Sequence, residues 1–154
     1  MKPAPSDYRL LAIDLDGTLL DKRHQVPAKA RAALAQAHHS GLKIVVCTGR
    51  SFTETRPILQ QIALDLDAAI TVGGALISDA RSGRTLESRS IPLPTARQAA
   101  DWLLGWGYGV LWLYDADEVG FDGYLIEGRR RHPAVQRWPP GRPHNSRCAK
   151  RLVR

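Results

Sequence analysis

The apolar run Leu10-Leu11-Ala12-Ile13 stops abruptly on Asp14, and Asp16, Gly17 and Thr18 follow at once. A short apolar run that ends on polar residues and glycine reads as a buried strand feeding a tight loop. Residues 42–47 repeat the pattern and end on Thr48-Gly49-Arg50-Ser51. Between the two runs, Pro27 suits the first position of a helix. Ala30, Ala33, Leu34 and Ala37 then recur at helical spacing, and Gly41 fits the helix end. Strand, helix and strand at this spacing make a βαβ unit with parallel strands and a right-handed crossover. The unit therefore brings Asp14 and Thr48 to one edge of one sheet. That edge, at the carboxyl ends of the strands, is where open α/β sheets carry their chemistry.

The residues from Asp16 to Gln25 read as a loop or small flap. Ser51-Phe52-Thr53-Glu54 has capping-box spacing for a second helix, either continuous or restarted at Pro57. Residues 68–72 form a third strand that ends at Gly73-Gly74. Residues 75–78 and 84–89 form short strands around a turn at residues 79–83. Thr95-Ala96-Arg97-Gln98 repeats the capping-box pattern. Ala99, Trp102, Leu103 and Trp106 give the helix after it an apolar face, expected to be core. Residues 108–114 read as a strand, and residues 118–126 as another with a turn at Asp122-Gly123.

The net charge of +7 is unevenly spread. Residues 1–128 carry 13 Lys/Arg against 15 Asp/Glu, whereas the last 26 residues carry 9 Lys/Arg and no acid. The body is thus nearly neutral, and the basic character belongs to residues 129–154. No apolar run is long enough to span a bilayer, and the first seven residues lack the apolar segment of a secretory signal. Cys47 lies in an apolar run and Cys148 in the polar tail, which is no disulfide framework. The expected location is the cytoplasm, without membrane attachment, and the sequence does not define an oligomeric state.

Asp14 and Asp16 sit two apart at a strand end. A carboxylate held there can act as a nucleophile, and a second one beside it can donate and accept protons. Two acids this close repel an anion by roughly 4 kcal/mol per unit-charge pair at about 4 Å and an effective dielectric of about 20. The site therefore calls for a cation, and Mg²⁺ suits oxygen ligands of this kind. Gly17 and Thr18 leave backbone N–H groups free to face an anion. Thr48 adds a hydroxyl donor from the neighbouring strand, and Gly49 allows close approach. Arg50 reads as an ion-pair residue, Cys47 as a small buried hydrophobe and His38-His39 as a solvated helix end.

These residues resemble the haloacid dehalogenase-like (HAD) phosphatases, and within them the Cof-type sugar phosphatases. The resemblance is carried by Asp14-Leu15-Asp16-Gly17-Thr18-Leu19-Leu20, by Cys47-Thr48-Gly49-Arg50 and by Thr71-Val72-Gly73-Gly74-Ala75-Leu76-Ile77. It departs from the subgroup at Gly73, where an Asn is usual. The resemblance implies an α/β fold: part of a Rossmann-like parallel sheet over residues 1–83, the beginning of an α/β cap over residues 84–127, and a basic tail over residues 128–154. It implies Mg²⁺-dependent hydrolysis of a small phosphorylated metabolite of the sugar phosphate class. Asp14 would become an aspartyl-phosphate, and Asp16 would protonate the leaving alcohol and then activate water. Mg²⁺ would be held by Asp14 and the Asp16 backbone carbonyl, and Thr48 and Gly49, with Gly17 and Thr18, would hold the phosphoryl group. The family's Lys and its acidic Gly-Asp motif have no counterpart, because nothing after Glu127 is acidic and Lys150 is the only Lys in the tail. The Asp14 strand would then form an exposed sheet edge.

The tail holds four Pro and nine Lys/Arg, without periodicity, and reads as disordered. It admits three readings: a polyanion-binding segment, a solvated end, or a change of reading frame in a GC-rich gene. The third accounts for the abrupt break, the lost acids and the lost motifs together. The tail has one aromatic residue and no RNA-binding motif, so nucleic acid is not the expected partner. The functional alternative to a phosphatase is a non-catalytic fragment that binds phosphate or a polyanion through this tail.

Overall fold

Five strands make the first sheet, and the Asp14 strand lies at its edge. The computed structural model describes residues 8–130 and 150–152. The chain divides into two units, Met1–Ser88 and Arg89–Arg154.

The first unit runs β1 (Leu10–Asp14), α1 (Ala28–His39), β2 (Lys43–Cys47), α2 (Phe52–Ile62), β3 (Ala68–Thr71), β4 (Leu76–Asp79) and β5 (Thr85–Ser88). The sheet order is β1-β2-β3-β4-β5; β1, β2 and β3 are parallel, while β4 and β5 pair antiparallel. Because β5 is bonded into this sheet, the hairpin belongs wholly to the first unit.

Residues paired in register share a face of a sheet. Leu11, Ile13, Ile44, Val46 and Ala69 therefore line one side. They pack there with Leu34 of α1 and with Ile58, Leu59 and Ile62 of α2. Both crossovers advance in the same direction along the sheet, so right-handedness puts both helices on that one face. Leu10, Ala12, Asp14, Val45 and Cys47 take the other face. Leu10 is 55% exposed there, and Ala12 and Asp14 are exposed too.

The capping box of α2 forms as its spacing predicts. Ser51 Oγ accepts from the Glu54 N–H at 3.3 Å, and Glu54 Oε2 accepts from the Ser51 N–H at 3.1 Å. The helix runs unbroken through Pro57, which resolves the choice between a continuous and a restarted helix.

The second unit contains α3 (Leu93–Gly105), β6 (Val110–Leu113), α4 (Ala116–Val119), β7 (Gly123–Ile126) and β8 (Lys150–Leu152). Its sheet order is β6-β7-β8, antiparallel and then parallel. Four expectations fail here. No side chain caps α3, which starts before Thr95, because Pro94 in the first turn needs no N–H partner. Trp102 and Trp106 are 64% and 58% exposed and meet edge-on at 6.2 Å, while Ala100 is buried with Leu103 and Leu104 half-buried. The small side chain of Ala100, and not the indoles, takes the inward position. The strand expected over residues 118–126 begins only at Gly123, and residues 116–119 form a helical turn: the Asp115 carboxylate caps it by accepting from the Asp117 N–H, and Gly120 ends it at φ +81°. Lys150, which the sequence leaves without context, lies in a strand. Residues 128–130 of the tail are described too, with the Arg130 N–H donating to the Gly107 carbonyl at 2.7 Å; residues 131–149 and 153–154 lie outside the described residues. Among the described residues, no helix is long and apolar enough to cross a membrane.

Candidate active site

Asp14 is the last residue of β1 and stands in register with Cys47, the last residue of β2. Thr48 follows directly, so the parallel register puts Asp14 and Thr48 at one sheet edge, as the βαβ pattern predicts. The side chain of Asp14 is exposed, while Thr48 is buried. Cys47 is half-buried; burial, and then the charge of Asp14, push its thiol up from the ordinary value. That fits a packing residue and not a nucleophile.

Residues Leu15–Leu19 form one wide helical turn, broken at Asp16 and at Gly17, whose φ of +83° suits glycine. Gly17 and Thr18 are exposed. The turn is anchored from below by Leu15 and Leu19, both buried in the core. A flap follows, held by the Asp21 carboxylate, which accepts from the N–H groups of Arg23 at 2.8 Å and Gln25 at 2.9 Å. This turn puts His24 at φ +57°.

Thr48 is fixed on both sides. Its N–H donates to the Ile70 carbonyl at 2.9 Å, and its own carbonyl accepts from the Gly73 N–H at 3.2 Å. Its hydroxyl oxygen accepts from the Arg50 N–H at 3.2 Å. A Cβ on Gly49 would meet open space, so the chain itself leaves room beside the loop. The Val72 N–H donates to the Arg50 carbonyl at 2.8 Å, and Val72 has φ +52°, a sterically poor value for a β-branched residue. The β2–α2 and β3–β4 loops are thus stitched together by backbone hydrogen bonds.

The contact at Asp16 is the one that sequence reasoning missed. Arg50 clasps it with a planar fork, Nε to Oδ2 at 2.7 Å and Nη2 to Oδ1 at 2.5 Å. His24 Nδ1 lies 3.7 Å from the same Oδ1. The Arg50 hydrogen bonds first, with its charge and His24 adding, hold the Asp16 carboxyl below the usual value against the opposing effect of burial. Arg50 was read as an ion-pair residue, and it is one; its partner is a proposed site residue. For His24, nothing in the sequence beyond its place in the flap points to the site.

The donor set is of oxygen type, from Asp14, Asp16 and exposed backbone. Among the described residues, no three His, Cys, Asp or Glu side chains converge as a self-sufficient metal cage. Mg²⁺ commonly uses one or two carboxylates and completes its shell with water and substrate phosphate, so the residues present fit that ion.

An open, parallel-rich sheet with a carboxylate loop and a threonine loop at one edge defines an α/β protein of Rossmann-like architecture. The chain belongs to the haloacid dehalogenase-like hydrolases, whose family pattern matches residues 11–134. It is 37% identical over 95 residues to the phosphatase YwpJ of Bacillus subtilis, covering 62% of this chain and 33% of that protein. It is 34% identical over 95 residues to the pyridoxal phosphate phosphatase YbhA of Escherichia coli, covering 62% and 35%. A solved haloacid dehalogenase-like hydrolase from Bacillus subtilis superposes with a TM-score of 0.66 at 27% identity, over 82% of this chain and 41% of that one. The relatives agree with the Cof-type resemblance. The chain spans about a third of the length of the curated relatives it matches.

Proposed function

We propose that the Asp14 loop hydrolyses phosphomonoesters of small phosphorylated metabolites, of the sugar phosphate class, through an aspartyl-phosphate and with Mg²⁺. The observation that carries this reading is the parallel register of β1 and β2, which sets the exposed Asp14 beside Thr48 at the carboxyl edge of the sheet. In this reading Asp14 attacks phosphorus and the leaving oxygen departs on the opposite side. Asp16 protonates that oxygen and later takes a proton from the attacking water. Thr48 donates its hydroxyl to the phosphoryl oxygens, and the N–H groups of Gly17, Thr18 and Gly49 face them. Mg²⁺ would be held by the Asp14 carboxylate and the Asp16 carbonyl, and it would supply positive charge against the phosphoryl oxygens. Named relatives support the broader class of small phosphorylated metabolites: they include phosphatases of pyridoxal phosphate and of 5-amino-6-(5-phospho-D-ribitylamino)uracil. The second unit is, in this reading, the start of a cap module.

The test is hydrolysis of p-nitrophenyl phosphate by the 154-residue chain, with and without Mg²⁺, beside Asp14→Asn. The expected outcome is Mg²⁺-dependent turnover that falls by at least about 10³-fold in the variant. Equal rates in the two proteins would overturn the reading.

A further inference from the structure

We propose that Arg50 is the cation that receives the phosphoryl group of an incoming phosphomonoester, turning from Asp16 to the ligand as it binds. The inference rests on the phosphatase reading of this site and adds a binding residue to it.

The physical problem is charge. Asp14 and Asp16 both lie exposed at the mouth of the loop. A phosphate that approaches them must be met by positive charge close by, and exposed cations more than about 8–10 Å away are screened by salt. The flap cations Lys22 and Arg23 are exposed, and neither side chain contacts either carboxylate among the described residues. Arg50 does, through the fork on Asp16.

Arg50 is built to exchange partners. Its backbone is held on both sides, by its N–H to Thr48 Oγ1 and by the Val72 N–H to its carbonyl, so the side chain swings about a fixed Cα. A guanidinium carries five N–H donors in one plane. Asp16 engages Nε and Nη2, and Nη1 has no partner among the described residues. The side chain is 26% exposed, open enough for a ligand to reach and shielded enough to strengthen the contact. Because the Thr48 hydroxyl oxygen accepts from the Arg50 N–H, its own hydrogen is free to turn toward the same ligand. Both donors therefore hang from one loop, two residues apart.

His24 makes the exchange affordable for Asp16. Its Nδ1 is 3.5 Å from Arg50 Nη2 and 3.7 Å from Asp16 Oδ1. When the guanidinium leaves, the imidazole remains beside the carboxylate. The left-handed backbone at His24, set by the Asp21 turn, is what aims the ring there. Glu54 also contributes field at Arg50, but its carboxylate is engaged in the cap of α2. Arginine binds phosphate and carboxylate with the same bidentate geometry, and phosphate brings more charge and a third oxygen. Presented with both, the guanidinium follows the phosphate.

Inorganic phosphate is the probe, titrated calorimetrically into the full 154-residue chain at constant ionic strength. The expected result is saturable binding that weakens by about tenfold or more in Arg50→Ala. Arg50→Lys, which keeps the charge and loses the fork, should weaken it by a smaller factor. Arg31→Ala, which removes an exposed cation of α1, should stay within about twofold. In NMR spectra, the Arg50 Nε–H resonance should move on adding phosphate, a signature that a purely structural ion pair does not give. Wild-type affinity in Arg50→Ala, an Arg50 resonance that ignores saturating phosphate, or a wild-type chain that binds no phosphate would each overturn the proposal. The phosphatase reading is judged apart from this by the Asp14→Asn comparison. Arg50-dependent phosphate binding without hydrolysis sinks that reading alone, and hydrolysis with Arg50-independent binding sinks this inference alone.

Discussion

In the proposed reaction Asp16 acts as an acid at one moment and a base at another, and Arg50 biases that balance toward the carboxylate. The fork stabilises the ionised form, so the folded-state value lies below the ordinary aspartate value. A carboxyl whose value is lowered by folding contributes stability above its unfolded-state value near pH 4, and the contribution disappears as pH falls through the lower, folded-state value. Asp16 is half exposed, so the contribution is small, roughly 0.5 kcal/mol. Melting curves of wild type and Asp16→Asn should therefore differ slightly at pH 6 and converge as pH falls through the lowered, folded-state value of Asp16. A gap that stays constant across this range would mean the fork adds nothing to folding. The shared sheet edge of Asp14 and Thr48 was legible in the sequence because strand ends are, and because a βαβ unit fixes which strand ends meet. The Arg50–Asp16 fork was not. The two residues are 34 apart in the chain, and the pairing depends on how the Asp16 turn bends back over the β2–α2 loop, which no local pattern encodes. His24 reaches the site through a left-handed residue in a flap, again a tertiary matter.

At the scale of elements, local signals worked where the chain and the core agree. The first unit's helices and strands follow their predicted places within one or two residues, and for β1, β2, α1 and α2 the apolar run is also a core face. The second unit departs more. Its helix pattern pointed to the face of Ala99, Trp102, Leu103 and Trp106 as core, whereas burial chose Ala100. Capping shows the same contrast. Thr95 fits the pattern but lies inside a helix that a proline has already begun, while Ser51 both fits and functions. Ser51→Ala removes the acceptor for the Glu54 N–H and ends the reciprocal bond of the capping box. It should lower stability by about 1 kcal/mol in chemical denaturation, with an unchanged m-value. The cap sits directly after Arg50, so the variant should also loosen the loop that carries Thr48. No loss of stability would mean that α2 is held by the burial of Ile58, Leu59 and Ile62 alone.

At the scale of the whole chain, the first sheet is protected unequally. Parallel strands are normally covered on both faces, with helices packed against each. Here α1 and α2 pack on the face of Ile44 and Val46, while Leu10 and Ala12 on the opposite face are exposed. Among the described residues β1 is also an edge, with β2 bonded on one side only. The edge thus offers a row of backbone donors and acceptors beside apolar side chains, the combination that templates pairing between chains. The 154-residue chain should accordingly self-associate, with sedimentation coefficients that rise with concentration in the micromolar range. Leu10→Lys places a charge on the open face of the edge strand and replaces a side chain that is already 55% exposed. It removes little core burial, so the fold should persist by circular dichroism while the association weakens. A wild-type chain that sediments as a single monomeric species at every concentration would show that the β1 edge is inert. An association that Leu10→Lys leaves unchanged would move the contact elsewhere, to the exposed indoles of α3.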